Sequence, residues 1–114
     1  MIKRPSQLNT KSRLNPQGET SLLLTDLKDF SFQNPKLKMF SHVRLLPGQE
    51  LAWHEHHGEC EYYYILRGTG IYSDNGEKLP VGPGDVTCTP NGTGHGMVNT
   101  GSEDLEFVAM ILFD

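Results

Sequence analysis

The sequence predicts an all-β fold, a closed barrel or a pair of facing sheets, and three observations carry that prediction. From Lys38 onward the chain runs as short apolar-rich segments separated by Gly, Pro and Asn turns. Their spacing of roughly 8–12 residues is the one such folds show. The Asn75-Gly76 pair, flanked by strand-like residues, is a strong hairpin signal, because the tight turn it favours needs positive φ at both central positions. Nothing in the 114 residues carries the apolar period of a long amphipathic helix.

Taken in order, the first thirty residues are weakly patterned, and Pro5, Pro16 and Gly18 interrupt any helix there. Within that region residues 20–25 (Thr-Ser-Leu-Leu-Leu-Thr) read as a short strand, and 26–35 as room for a single helical turn. The remaining strands are expected at 38–46, 50–56, 61–67, 70–73, 77–79, 85–89, 95–99 and 105–113. Between them lie Pro47-Gly48, His57-Gly58, Asp74-Asn75-Gly76, Pro83-Gly84, Asn91-Gly92 and Thr100-Gly101. No internal repeat is visible, so one barrel is expected. Residues 1–36 form an N-terminal arm, packed on the barrel or swapped onto a partner's, and 37–114 form the barrel itself.

Composition narrows the function classes. Hydrophobic residues make up 36% and charged residues 21%, as in ordinary globular chains, and the length suits one core. A net charge of −4 with interspersed signs argues against nucleic acid as partner, which needs a concentrated basic face. The basic residues near the N-terminus (Lys3, Arg4, Lys11, Arg13) read as a solvated arm. No apolar run reaches the ~20 residues of a membrane span, and no apolar stretch follows the basic start as a secretory signal requires. Cys60 and Cys88 make no disulfide framework and no zinc-type spacing. A cytoplasmic domain with reduced thiols is the expectation.

The chemistry gathers around four residues. His54 and His56 alternate along a strand, so both imidazoles face one side. Gly58 lets the chain turn, and Glu61 then opens the next strand beside them. His95 follows the glycine-rich turn 91–94 and opens a strand of its own. Three imidazoles and a carboxylate converging inside a barrel make a mixed nitrogen and oxygen site for a divalent transition metal.

These residues stand in a larger pattern. Gly48, His54, His56, Glu61 and Gly68 occupy the spacing Gly, five residues, His-x-His, four residues, Glu, six residues, Gly. Gly84, Pro90, Gly92, His95 and Asn99 occupy the spacing Gly, five residues, Pro-x-Gly, two residues, His, three residues, Asn. The two motifs span residues 48–99 and match at every position, and in this the chain resembles the cupin superfamily. The resemblance implies a double-stranded β-helix, or jelly-roll, barrel with the metal held by His54, His56, Glu61 and His95. It implies a small single-domain cupin with one divalent ion (manganese, iron, nickel, cobalt or zinc, with manganese or iron favoured) in an open coordination sphere. A homodimer formed by sheet packing is the implied assembly.

Strand parity sorts the neighbours. Tyr63 shares the face of Glu61 and is the first candidate for a catalytic or ligand-binding hydroxyl, while Tyr62 and Tyr64 face outward. His42 is a second acid–base candidate if the 40, 42, 44, 46 face of its strand turns inward, and parity leaves that face unassigned. Arg44 and Arg67 read as surface ion-pair partners, His57 as a turn residue, and Trp53 as an outward packing residue. Met97 reads as apolar wall near the metal, and Asn99 as a structural amide holding loops.

The functional expectation is a metal-dependent enzyme acting on a small oxygen-rich molecule such as a carboxylate, keto acid or sugar derivative. Cupins of this size include isomerases, decarboxylases and dioxygenases, and the motifs do not choose among them. The alternative is a non-catalytic small-ligand binder with a structural metal.

Overall fold

The computed structural model describes residues 1–114. Ten strands build it: β1 (Thr10–Leu14), β2 (Thr20–Asp26), β3 (Leu37–Leu45), β4 (Glu50–Glu55), β5 (Glu59–Arg67), β6 (Gly70–Asp74), β7 (Glu77–Val81), β8 (Val86–Thr89), β9 (Gly94–Val98) and β10 (Leu105–Phe113). They form a six-stranded sheet in the order β1-β2-β3-β10-β5-β8 and a four-stranded sheet in the order β4-β9-β6-β7. All pairings are antiparallel, and the two sheets pack face to face as a jelly-roll barrel. No helix is long and apolar enough to cross a membrane.

Alternation places the core. Along β5 the buried residues are Glu59, Glu61, Tyr63 and Ile65; along β10 they are Leu105, Phe107, Ala109 and Ile111. Facing them from the smaller sheet are Tyr72 on β6 and Met97 on β9. On β3 the inward set is Met39, Ser41, Val43 and Leu45, which settles the parity that sequence leaves open. Phe107, Ile65, Leu45 and Leu22 are essentially sealed from solvent, and truncating any of them to Ala is expected to cost about 2–5 kcal/mol.

The hairpin at Asn75-Gly76 forms as predicted, with φ of 49° and 100°, and joins β6 to β7 in register Asp74↔Glu77. Gly48, Gly68, Gly84 and Gly92 all take left-handed φ, from +76° to +89°. At Gly68 the requirement is double, because a Cβ would also meet the backbone of Asp104 and Leu105 at 2.5 and 2.9 Å.

The N-terminal arm holds the departures from expectation. Residues 26–35 contain no helical turn. Side chains satisfy their backbone instead: Lys28 N–H donates to the Asp26 carboxylate, and the Gln33 amide donates to the Lys28 and Phe30 carbonyls. The one helical turn is a 3-10 turn at Pro5–Gln7, where Pro at the first position already has the required φ. Residues 10–14 form β1, a strand that the sequence reading lacks, because every one of its side chains is exposed and no apolar alternation marks it. β2 pairs with β3 and sends Leu22 into the core, so the arm's strands form part of the six-stranded sheet.

Candidate metal centre

Strand pairing assembles the four ligand candidates. His54 on β4 lies directly opposite His95 on β9, both on the four-stranded sheet. His56 follows the end of β4 and is tied to the loop before β9, donating its N–H to the Thr93 carbonyl and accepting from Gly92 N–H. Glu61 comes from β5 of the opposite sheet, so the cluster bridges the two layers.

The distances are those of a coordination shell. His95 Nε2 lies 3.0 Å from His54 Nε2, 3.1 Å from His56 Nε2 and 2.8 Å from Glu61 Oε1. Glu61 Oε1 is 3.0 Å from His56 Nε2 and 4.0 Å from His54 Nε2. Around an ion with bonds of about 2.1 Å, neighbouring ligands of an octahedron stand about 3.0 Å apart and opposite ones about 4.2 Å, whereas a tetrahedron gives a uniform ~3.4 Å. All four donor atoms lie within 4.8 Å of one another, close enough for one divalent ion to reach them together.

The far side of each imidazole fixes its role. His54 Nδ1–H donates to the Ala52 carbonyl at 2.8 Å, and His56 Nδ1–H donates to Glu59 Oε2 at 2.5 Å. A carbonyl and an ionised carboxylate only accept, so both rings present an Nε2 lone pair to the cluster. His95 Nδ1 is 2.8 Å from both the Thr89 and Tyr72 hydroxyls, which themselves lie 2.9 Å apart. Burial holds the His95 pKa below the ordinary imidazole value, against the pull of Glu61, so the ring is neutral, and the tautomer that donates Nδ1–H to one of these hydroxyls turns its Nε2 lone pair to the cluster. Three lone pairs and a carboxylate oxygen aimed at one point, with no cation among the side chains between them, are a donor set a divalent metal fits.

Glu59 is the supporting residue that the sequence reading missed. Burial pushes its carboxyl up, but hydrogen bonds from Lys38 (2.6 Å) and His56 outweigh that and hold it below the usual range. It has the parity of Glu61, and starting β5 two residues earlier would have revealed it. Thr89 and Tyr72 had no sequence signal, since nothing local says that they meet His95.

The site opens on one side. His54 keeps 42% of its side chain exposed, whereas Glu61, His56 and His95 are at 4%, 6% and 1%. Above it lies a cavity of about 490 Å³ with apolar walls from Leu22, Leu51, Val43 and Ile111, and with Arg13 and Lys38 among its lining residues. Tyr63 lines it too, stacked on His95 at 4.9 Å with its hydroxyl 3.5 Å from Nε2. Burial, then the nearby Glu61 charge, raises the Tyr63 pKa far above the ordinary value, so it stands as a neutral hydrogen-bond donor.

The second acid–base candidate is not brought here. His42 lies on the outer face of β3, 3.3 Å from Glu106, because the alternate residues Ser41 and Val43 carry that strand's inward face. Arg44 is bound to Asp104, and Arg67 approaches Glu103 and Glu106 at the surface. His57 is exposed in the turn beside Glu55. Trp53 is half-exposed and its ring lies against Gly94, leaving no room there for a Cβ. Met97 is core wall. The Asn99 amide donates to the Leu45 and Glu103 carbonyls and accepts from Gly101 N–H, which is the structural part expected of it.

Comparison with known proteins identifies the family and the fold. Residues 41–111 match the family model described as Cupin domain. The chain is 36% identical over 113 residues to an oxalate-binding protein of Thermotoga maritima, covering 98% of this chain and 93% of that one. A solved Thermotoga maritima structure described as a predicted oxalate decarboxylase superposes with a TM-score of 0.90 at 36% identity, covering all of both chains. A sugar phosphate isomerase of the cupin superfamily from Silicibacter pomeroyi matches at TM-score 0.81 and 19% identity, over all of this chain and 76% of that one, a likeness of fold alone. The chain belongs to the cupin family.

Proposed function

We propose that this cupin holds one divalent metal on His54, His56, Glu61 and His95 and binds a small carboxylate, oxalate foremost, on the open side of that site. The carrying observation is the convergence of three Nε2 lone pairs and Glu61 Oε1 at the floor of an accessible cavity. Similarity to an oxalate-binding protein over nearly the whole chain supports the ligand class. The spread of ligand distances supports six-coordinate manganese or iron over closed tetrahedral zinc. A bound ion would supply Lewis acidity toward a carboxylate oxygen. The chain's own residues orient the imidazoles, exclude water along the apolar wall, and offer the neutral Tyr63 hydroxyl as donor.

The test is elemental analysis joined to calorimetric titration with oxalate. The metal-loaded protein should bind oxalate, and both chelated protein and His95→Ala should not. Oxalate binding that survives complete metal removal defeats the proposal.

A second reading, catalysis on that carboxylate, draws on Tyr63, a protonated hydroxyl stacked against a ligand and facing the cavity. Turnover by metal-loaded wild type that falls in Tyr63→Phe with oxalate affinity kept would establish it.

The same proposal includes a homodimer in a reducing compartment such as the cytoplasm. Tyr62, Tyr64 and Val86 are exposed on the outer face of the six-stranded sheet, beside Val108 and Met110. Apolar residues gathered on one outer face support sheet packing between copies, and the two free thiols support reducing conditions. Equilibrium sedimentation at micromolar concentration tests the dimer, and a pure monomer refutes it.

A further inference from the structure

Arg13 on the N-terminal strand is the one feature of the cavity that neither the metal cluster nor the packing accounts for. β1 pairs antiparallel with β2, and Arg13 stands directly opposite Leu22. Residues opposite one another in such a pair share a sheet face. Leu22 is 1% exposed and faces the barrel interior, so Arg13 is turned to the same side of the sheet, itself exposed at the rim of the cavity. Both residues line the cavity above His54, His56 and Glu61.

The cavity's other cation is already engaged. Lys38 is held at 2.6 Å by Glu59, whose second oxygen binds His56. Glu55 sits toward solvent with His57. Arg13 has no carboxylate among the ion pairs of the protein, although other basic residues of the arm and barrel, Lys3 and Arg44, do.

We infer that Arg13 is the second anchor of the ligand site and selects dicarboxylates, taking the carboxylate that the metal-facing wall does not take. This rests on the carboxylate reading proposed above. Charge supports it. With Glu59 balanced by Lys38, a divalent ion offset by Glu61 leaves one positive charge, and Arg13 adds a second. A small dianion neutralises the pair, whereas a monocarboxylate leaves Arg13 unmatched. The guanidinium fork also suits a planar carboxylate in two parallel hydrogen bonds, which an ammonium cannot reproduce. The apolar wall of Leu22, Leu51 and Ile111 limits water on the metal-facing side of the ligand, while Arg13 closes the solvent side.

The experiment titrates oxalate, and acetate as the monocarboxylate probe, into manganese-loaded wild type, Arg13→Ala and Arg13→Lys by calorimetry, with metal content and melting temperature measured on each. Arg13→Ala should weaken oxalate about 10- to 100-fold, the loss typical of one charge-assisted contact. Acetate affinity, metal content and melting temperature should stay as in wild type, and Arg13→Lys should recover only part of the oxalate affinity. If wild type binds oxalate and Arg13→Ala binds it equally tightly, the inference falls while the carboxylate reading stands. Equal losses for oxalate and acetate, or a variant with lowered metal content, also overturn it, because the residue would then act as a general attractor or a structural support. A wild type that loads metal and binds no oxalate overturns both.

Discussion

Glu59→Ala is the sharpest probe of how the site is held. Glu59 touches no ligand lone pair, yet its Oε2 accepts from His56 Nδ1–H at 2.5 Å and its Oε1 from Lys38 Nζ at 2.6 Å. The His56 ring is 6% exposed, so removing the acceptor strands a buried N–H, at a cost of about 1–3 kcal/mol. It also frees the ring to rotate and lowers the basicity of Nε2. Loss of such a supporting carboxylate typically weakens metal binding 10- to 100-fold, about 1.4–2.7 kcal/mol, which agrees with the penalty on the ring. Glu59→Gln keeps an oxygen for His56 and loses only the charge, so on the order of tenfold or less is expected. Lys38→Ala should do least, because its ammonium is half-exposed and such pairs contribute about 0–1 kcal/mol. The assay is competition for zinc(II) or cobalt(II) against a chromophoric chelator, with melting curves of each metal-free variant. Glu59→Ala binding metal within threefold of wild type, with a normal melting temperature, would falsify the claim that Glu59 sets the His56 lone pair.

Three further outcomes follow from other contacts. Asn99→Ala should lose about 2–3 kcal/mol of stability, because it strands the Leu45 carbonyl in the core, while metal affinity per folded molecule stays unchanged in the same competition assay. Gly68→Ala should destabilise by about 3 kcal/mol or more, since left-handed φ and a Cβ against the Asp104 carbonyl act together, and denaturant midpoints measure it. Metal should be retained as pH falls through the ordinary imidazole range. A lowered His95 pKa means that protons compete for it only further into acid, so metal content should fall only well below the ordinary imidazole value, and release above neutrality would contradict it.

What the sequence revealed follows a physical divide. Spacing marked the four residues that the fold brings together, because a His-x-His in a strand, a turn glycine and a carboxylate opening the next strand leave few geometries. Turn chemistry marked the barrel: eight strands from residue 37 onward lie within two residues of their expected bounds. β1 stayed hidden because Thr-Lys-Ser-Arg-Leu carries no apolar alternation, and edge strands are often charged on purpose. Arg13 was read as part of a solvated arm for the same reason, since its meaning depends on pairing with Leu22, which only the sheet supplies. His42 could not be placed until β3 parity was known, and one residue of register separates the core face from the outer one.

The two levels meet in how the cluster is supported. Every imidazole is gripped from behind by a protein group: Ala52 for His54, Glu59 for His56, Thr89 and Tyr72 for His95. The rings are thus ordered by the fold itself, and the metal meets a shell whose entropy of assembly is already spent. That shell is unfavourable by itself, because lone pairs and a carboxylate oxygen face one another at about 3 Å in a buried place. The apolar core around Phe107, Ile65 and Leu45 holds the two sheets together against this repulsion from deeper in the barrel. A metal bound there would relieve the repulsion, and under the proposed function it would do so without having to create the fold, unlike a structural zinc site, where folding and metal uptake are one event. The exposed side of His54 faces the cavity, so an ion held there under the proposed function would keep one open flank for a ligand, where an ion that only joined two sheets would be better enclosed on all of them.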